Sequence, residues 1–133
     1  MLDAVLVTHL HSDHITDLND VITTHWVMTM QPTPLRIYGP PGIGAVVDAI
    51  LASLAPDIGY RLAHHEDLTW EPLLEITEVE AGASFTVGAA SVTVGRTNHF
   101  PVEPAIGFRF DQAGASVAIA GDSVPCEGLD ALC

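Results

Sequence analysis

Residues 8–14 read Thr-His-Leu-His-Ser-Asp-His and directly follow a short apolar run, Ala-Val-Leu-Val at 4–7. The β-branched residues of that run are typical of a strand that is covered on both faces. A loop leaving the end of such a strand can point several side chains into one pocket. Four side chains of the stretch can bind a metal: His9, His11, Asp13 and His14. The stretch therefore predicts a metal site at the end of a strand.

This stretch holds more ligands than one metal ion can use. Imidazole nitrogens and carboxylate oxygens are the usual zinc ligands where thiolates are absent. The pair His9 and His11 can bind one ion, and the pair Asp13 and His14 can face a second. Two ions about 3.5–4 Å apart stabilise both the attacking and the leaving oxygen of a hydrolytic displacement. The alternative is a polar loop in which Asp13 caps a helix beginning near Ile15, but a cap does not require three histidines.

Apolar periodicity on either side of the stretch predicts a mixed sheet with helices packed on it. Pro56 is expected to end the second helix, and residues 117–120 are expected to be another strand covered on both faces. The predicted elements are a strand at 4–7, a helix over 15–26, a strand at 35–38, a helix over 43–54, β structure from 73 to 120, and a helical pattern at 127–133.

Composition indicates a globular chain and argues against a nucleic-acid partner. The 133 residues suffice for one domain, and an apolar content of 48% does not fit a disordered chain. With 17 acidic and 4 basic residues, the net charge of −13 repels phosphates. We find no apolar run typical of a membrane span and no signal-peptide pattern. Cys126 and Cys133 could cross-link almost nothing, which favours a reduced, cytoplasmic protein.

Two later polar residues follow strands and are further site candidates. His99 comes after the apolar residues 92–94, and Asp122 comes after residues 117–120. In α/β proteins, sites gather at the ends of strands. Either residue alone is more often an ordinary loop residue, so their assignment depends on the histidine stretch.

Three other features are open to two interpretations. The Gly-rich residues 39–44 precede a helix and could bind a phosphate, but they lack the Walker spacing and lysine, which favours a tight turn. Arg96 and Arg109 are either ordinary sheet-surface charges or contacts for an anionic substrate. His25, beside Trp26 on the first helix, and the pair at 64–65 are interpreted as background histidines.

Four motifs of the chain form a recognisable set. They are residues 8–14, Tyr-Gly-Pro-Pro-Gly at 38–42, His99 followed by Pro-Ala-Ile-Gly-Phe-Arg at 104–109, and Ala-Gly-Asp-Ser at 120–123. In these motifs the sequence resembles the metallo-β-lactamase-fold hydrolases, and within them the branch of ribonuclease Z and arylsulfatase-like enzymes. The resemblance implies an α/β fold, an αββα sandwich of the metallo-β-lactamase type, with a two-metal site between the sheets.

The resemblance implies a role for each candidate ligand. A hydroxide between two zinc ions, with manganese or iron as alternatives, would be the nucleophile, and Asp13 would also accept its proton. The implied ligand sets are His9, His11 and His99 for the first metal, Asp13 and His14 for the second, and Asp122 as the bridge between them.

The chain also departs from the family pattern. The family's first strands and its last metal-ligating histidine have no counterpart here, so we expect residues 1–133 to be a single, partial metallo-β-lactamase-like domain, incomplete at both termini. Members that process tRNA carry a long basic arm before the bridging aspartate. The 22 residues between His99 and Asp122 leave no room for that arm.

The expected function is therefore that of a metal-dependent hydrolase acting on a small anionic ester, a phosphodiester or a sulfate ester. RNA is disfavoured by the charge and by the missing arm. The alternatives are a tRNA 3′-processing endoribonuclease of the ribonuclease Z type and a non-catalytic, truncated metal-binding remnant. No membrane partner is expected, and the sequence leaves a homodimer open.

Overall fold

A computed structural model describes residues 2–133. Within this range the elements follow the predicted order of strand, helix, strand, helix and then mainly strands. They are β1 (Val5–Leu6), α1 (Ser12–Ile15), α2 (Leu18–Met28), β2 (Leu35–Gly39), α3 (Ile43–His64), β3 (Leu74–Glu78), β4 (Ser84–Val87), β5 (Ala90–Arg96), β6 (Ile106–Gln112), β7 (Ala115–Ile119) and α4 (Glu127–Leu132).

The first sheet is parallel and has the order β1-β2-β3. Parallel neighbours need a crossover connection, which α1 and α2 supply between β1 and β2, and α3 supplies between β2 and β3. Leu35 and Ile37 of β2 are fully buried with Ile22 of α2 and Val47 of α3. Both long helices therefore cover one face of this sheet.

The second sheet is an antiparallel meander, β4-β5-β6-β7. Its turn between β6 and β7 uses Ala113 and Gly114, both with positive φ, as the twist of a two-residue hairpin requires. Alternate residues of β5 and β6, including Val94 and Phe108, point inward and are buried. This inward face is the one that meets the first sheet.

The two sheets pack face to face through the buried inward face of the second sheet. Tyr38 of β2 stacks on Phe85 of β4 with ring centroids 4.1 Å apart. On the outer face of the second sheet, α4 packs so closely that a Cβ added at Gly95 would lie 2.6 Å from Leu132 Cδ1. The layers are thus helices, sheet, sheet and helix, and the predicted αββα sandwich is confirmed.

Several local predictions were wrong. Pro56 does not end α3, which continues to His64, because both Pro56 and Ala52 are exposed and water can bond the carbonyl that proline leaves free. Strand β7 is exposed along its length, not covered, because it lies at the sheet edge and pairs with β6 alone among the described strands. The alternative in which Asp13 caps a helix does not hold either, since α1 begins at Ser12 without a side-chain cap.

Helix α3 also differs from the expectation that no segment resembles a membrane span. It has 22 residues, and a window within it has a mean hydropathy of 1.4. By length and composition alone, the helix is long and apolar enough to cross a membrane. Asp48 and Asp57 interrupt the apolar residues, but the mean hydropathy stays within the range of a membrane-spanning helix. In this fold the helix buries Ile43 and Val47 against the first sheet.

Candidate metal centre

The histidine stretch is fixed at the junction of the two sheets. The Thr8 carbonyl, just beyond β1, accepts a hydrogen bond from the Ile106 N–H of β6 at 3.0 Å. The next residue, His9, is only 1% exposed. Its Nδ1 lies 3.1 Å from the Thr8 hydroxyl, which leaves Nε2 to point away from the backbone. A bond of this kind sets the orientation of a metal-binding imidazole.

Three histidine rings converge on one point. His9 Nε2 lies 3.2 Å from His11 Nδ1, and His99 Nε2 lies 3.2 Å from the same His11 nitrogen. One ring nitrogen cannot satisfy two others that both seek a proton or a lone pair. A cation at the centre would satisfy all three, so this donor set fits a metal ion.

Asp122 completes this group of four. The ligand atoms of His9, His11, His99 and Asp122 all lie within 4.8 Å of one another. Asp122 Oδ2 lies 3.8 Å from His99 Nε2, and Oδ1 lies 3.5 Å from His14 Nε2. The two carboxylate oxygens thus face different histidines, which is the position that a bridging carboxylate needs.

Asp13 and His14 lie beside the group of four rather than within it. Asp13 Oδ2 is 3.7 Å from His14 Nε2, and the Asp13 side chain is 77% exposed. The His14 ring packs against His9, with centroids 4.2 Å apart. The structure therefore brings all six predicted ligands into one neighbourhood, with four of them in a compact set and two at its open side.

The electrostatics of the group favour neutral imidazole. Burial lowers the pKa of His9, and its neighbours His14, His99 and His11 lower it further, against an opposing effect of Asp122. A neutral ring keeps the lone pair that a metal needs. The site is thus able to bind a cation without first losing a proton from His9 near neutral pH.

The lowered pKa of His9 predicts a pH dependence for the metal-free protein. Unfolding exposes His9 and restores its ordinary pKa of about 6.5, so the unfolded chain binds a proton that the folded chain rejects. Stability from this residue is present above about pH 6.5 and is lost as the pH falls through the folded pKa. Melting temperatures measured in EDTA should fall below that pH, with a shallower slope in His9→Gln. His64→Gln, at an exposed position, should keep the wild-type slope; equal slopes in all three would contradict the prediction.

Gly121 holds the Asp122 loop against the histidine stretch. Its φ is +62°, and an added Cβ would lie 2.8 Å from Thr8 Cβ and still closer to the Thr8 hydroxyl. The hydroxyl in contact there is the one that bonds His9. A side chain at this position would both strain the backbone and displace the residue that orients His9.

Gly121→Ala should therefore weaken metal binding by about tenfold or more, the size expected when a group that orients a ligand is disturbed. It should also lower the melting temperature of the metal-free protein, because φ is unfavourable for alanine. Gly59→Ala is the matched control, since no atom lies within 4 Å of its added Cβ and alanine favours the helix. Metal titration of both variants measures the effect, and equal affinities would rule out this role of Gly121.

The other polar candidates have structural partners. Arg109 donates from Nε to Asp111 at 3.0 Å, from Nη1 to the Leu132 carbonyl at 2.9 Å and from Nη2 to Ser116 at 2.9 Å. The Arg109 hydrogen bond also holds the pKa of the Asp111 carboxyl below its usual range. Arg109 thus holds α4 against the second sheet, and its hydrogen bonds support a structural role rather than substrate binding.

The Gly-rich turn before α3 is also occupied. The Glu78 carboxylate accepts the N–H of Gly42 at 2.8 Å and that of Gly44 at 3.4 Å. These are the donors that a phosphate would need, so the interpretation as a tight turn holds. His25 is nearly buried and contacts the Thr33 carbonyl at 3.2 Å, while the histidines at 64–65 are exposed.

Sequence reasoning missed two residues that position the ligands. Thr8 orients His9, and Ser123 accepts the Asn98 N–H at 3.2 Å. The latter bond joins the segment that carries His99 to the segment that carries Asp122. Both residues directly adjoin a predicted ligand and carry a hydroxyl, a signal that would have singled them out.

Comparison with known proteins agrees with this geometry. The family model described as "Beta-lactamase superfamily domain" matches residues 1–132. The chain belongs to the beta-lactamase superfamily. The resemblance inferred from the motifs is confirmed at the level of this family and its ribonuclease Z relatives.

Two curated relatives are named "Ribonuclease Z". The chain is 53% identical to "Ribonuclease Z" of Mycolicibacterium gilvum (strain PYR-GCK), a match that covers 98% of this chain and 46% of that protein. It is 52% identical to "Ribonuclease Z" of Mycobacterium bovis (strain BCG / Pasteur 1173P2), covering 98% of this chain and 48% of that protein. The chain thus spans about half the length of the curated relatives it matches.

Solved structures share the fold. The metallo-beta-lactamase fold protein YhfI from Bacillus subtilis matches with a TM-score of 0.60 at 22% identity, covering 94% of this chain and 43% of that one. The short form of human tRNase Z matches with a TM-score of 0.58 at 23% identity, covering 95% and 50%. The described residues of this chain therefore have the metallo-β-lactamase fold.

Proposed function

We propose that this chain is the metal-binding half of a phosphodiesterase of the ribonuclease Z type, which cleaves tRNA precursors at their 3′ ends. The observation that supports the proposal most is the compact donor set of His9, His11, His99 and Asp122, within 4.8 Å, in a chain 53% identical to a protein named Ribonuclease Z. The general class, a metal-dependent hydrolase, follows from the donor set and the superfamily together.

The residues have separate tasks in this proposal. His9, His11 and His99 would hold a first metal, and Asp122 would share it with a second held by Asp13 and His14. Bound zinc would lower the pKa of a water ligand to about 7 and polarise the phosphoryl oxygen. The Thr8 hydroxyl keeps His9 in one orientation at Nδ1.

In this proposal Asp13 would accept and move a proton. Its carboxylate is 77% exposed and lies 3.7 Å from His14 Nε2, at the open side of the group of four. A carboxylate at this edge can reach an incoming substrate while it remains close to the ligands. It would accept the proton of the attacking water at Oδ2 and keep the charge of the site balanced.

The main expectation from sequence, a small phosphate or sulfate ester with RNA disfavoured, is less well supported than its alternative. The net charge of −13 counts only the residues of this chain and takes no account of other parts of the protein that could bind RNA. Each of the four arginines already has a partner within residues 2–133: the Asp3 backbone carbonyl for Arg36, and the carboxylates of Asp57 for Arg61, Glu103 for Arg96 and Asp111 for Arg109. We infer that RNA phosphates are held by parts of the parent protein outside this chain, so the charge of this half does not decide the substrate.

The test is cleavage by the full-length parent protein of a tRNA precursor with a 3′ trailer, beside an aryl sulfate and bis(p-nitrophenyl) phosphate. The precursor should be cut at its 3′ end, EDTA should abolish the cut, and zinc or manganese should restore it. His11→Ala should lose this activity, while His64→Ala, an exposed histidine outside the site, should keep it. Turnover of the sulfate ester without cleavage of the precursor would overturn the proposal in favour of the small-ester reading.

A further inference from the structure

An exposed aromatic residue lies directly beside a candidate metal ligand. Phe100 follows His99 in the chain and is 83% exposed. Of the four Phe, two Trp and two Tyr residues of the chain, all of them within residues 2–133, Phe100 and Tyr60 alone are exposed. Phe100 also belongs to neither of the two hydrophobic cores. The fold therefore does not use this ring for its own packing.

Backbone hydrogen bonds fix the position of Phe100. The Val102 N–H donates to the His99 carbonyl at 2.8 Å and closes a tight turn with Phe100 as its second residue. The Phe100 N–H donates to the Asn98 side-chain oxygen at 3.4 Å. The turn is thus held by groups other than the phenyl ring, and it presents that ring to solvent next to a ligand.

A second exposed apolar residue lies on the neighbouring ligand segment. Val124 is 55% exposed and comes two residues after Asp122. Its N–H donates to the Asn98 carbonyl at 2.9 Å, in an antiparallel bridge between the two segments. Single exposed apolar residues are common on protein surfaces. Phe100 and Val124 differ from them because both lie on the bonded pair of segments that carries His99 and Asp122, and together they form an apolar rim of the metal centre.

The charge of the chain limits the contacts that this rim can make with RNA. The four basic residues of the chain are all arginines, and each has a partner within residues 2–133. The net charge is −13. Stacking of a base on an aromatic ring needs no cation, because every base has a π-face. Phe100 therefore offers a contact to RNA that an acidic surface can still make.

We propose that Phe100 stacks on a nucleobase that adjoins the scissile phosphate of the RNA. The stack rests on the proposed function and deepens it, since it requires a single-stranded substrate at the metal centre. Neighbouring Cα atoms lie about 3.8 Å apart, so a phosphate bound at the metals brings the adjoining bases close to the residue that follows His99. An unpaired base can turn onto the ring, whereas a base within a duplex stays stacked on its neighbours. The contact selects single-stranded ends without selecting a sequence.

Precursors with one abasic nucleotide test the stack in the full-length, metal-loaded parent protein. The abasic position is either directly 5′ or directly 3′ of the cleaved bond. One of the two substitutions should lower kcat/KM of the wild type about tenfold, and its side identifies the stacked base. Phe100→Ala should lose about the same factor on the intact precursor and nothing further on that abasic precursor, because both changes remove one interaction.

Three further variants separate stacking from other effects. Phe100→Tyr keeps an aromatic ring and should cleave like the wild type, while Phe100→Leu, which is apolar without a ring, should behave like Phe100→Ala. Tyr60→Ala is the matched control, since Tyr60 is 74% exposed and lies near the end of α3, about 25 Å from the first turn of that helix. It should keep the wild-type kcat/KM on every precursor.

The outcomes distinguish the stack from the proposed function. If the wild type cleaves the precursor and Phe100→Ala cleaves it equally well, the stack is wrong and the proposed function stands. A loss in Phe100→Ala that is as large on both abasic precursors as on the intact one also overturns the stack, because the residue then acts through the fold or the metal. If the wild type does not cleave the precursor at all, the proposed function fails and the stack fails with it.

Discussion

Removal of the metal with EDTA should lower the melting temperature by about 10 °C or more, and His99→Ala should reproduce most of that loss. The ligands come from three distant segments, at residues 9–14, 99 and 122. A metal that joins them closes two long loops at a cost in chain entropy of several kcal/mol. Structural zinc contributes about 10–16 kcal/mol in small peptides, which exceeds that cost.

His99 is the residue to change because it links the second sheet to the histidine stretch of the first. Its Nε2 reaches His11 Nδ1 at 3.2 Å across 88 residues of sequence. Without the imidazole, the metal loses the ligand that directly follows β5, and the two sheets lose that connection. The matched control is His64→Ala, an exposed histidine at the end of α3, which should melt like the wild type with and without EDTA.

A double comparison makes this prediction specific to the metal. If His99 acts through the metal, EDTA should lower the melting temperature of His99→Ala by much less than that of the wild type, because both changes remove one interaction. Differential scanning calorimetry with and without EDTA supplies all four values. Fully additive losses would mean that His99 stabilises the fold by another route, and unchanged curves would mean that the cluster holds no metal that matters to folding.

The sequence singles out the candidate ligands because their signal is local. Six residues of one loop hold four donors, and this density has no common structural explanation. His99 and Asp122 are candidates because each follows a strand, and the family resemblance then assigns their roles. The pairing of β5, β6 and β7 brings His99 Nε2 to 3.8 Å from Asp122 Oδ2. No local pattern in the sequence encodes that pairing.

The wrong predictions share a different cause, since each depended on what surrounds a segment. The run at 117–120 is apolar enough to be buried, but Val117 is 57% exposed on the edge strand β7. Pro56 is a helix breaker in the interior of a helix packed on all sides, yet it is tolerated where its neighbours face water.

Replacement of Asp13 is expected to have a second large effect, on the turnover rate. Asp13→Asn should lower kcat of the full-length protein by about 10²–10⁴-fold, the range for loss of a general acid–base group. It should leave the first metal bound, because Asp13 is not among the four donors that lie within 4.8 Å of one another. The expected result is therefore a variant that keeps one metal and its melting temperature but turns over slowly.

Two comparisons separate this role from a general effect of charge or stability. Asp17→Asn removes the same charge four residues along the chain, at an exposed position without a side-chain capping bond, and should keep near wild-type kcat. Arg109→Ala releases α4 from the second sheet, so it should lower the melting temperature while folded protein keeps its rate.

The three variants together decide the assignment. Single-turnover cleavage, elemental analysis and thermal melting distinguish loss of chemistry from loss of metal and from loss of fold. If Asp13→Asn loses the first metal, Asp13 belongs to that site, and the separation between the four donors and the open-side pair is wrong. If Arg109→Ala slows the folded enzyme more than Asp13→Asn does, the assignment of Asp13 as proton acceptor is wrong, because all three guanidinium nitrogens of Arg109 already donate to Asp111, Ser116 and the backbone of α4.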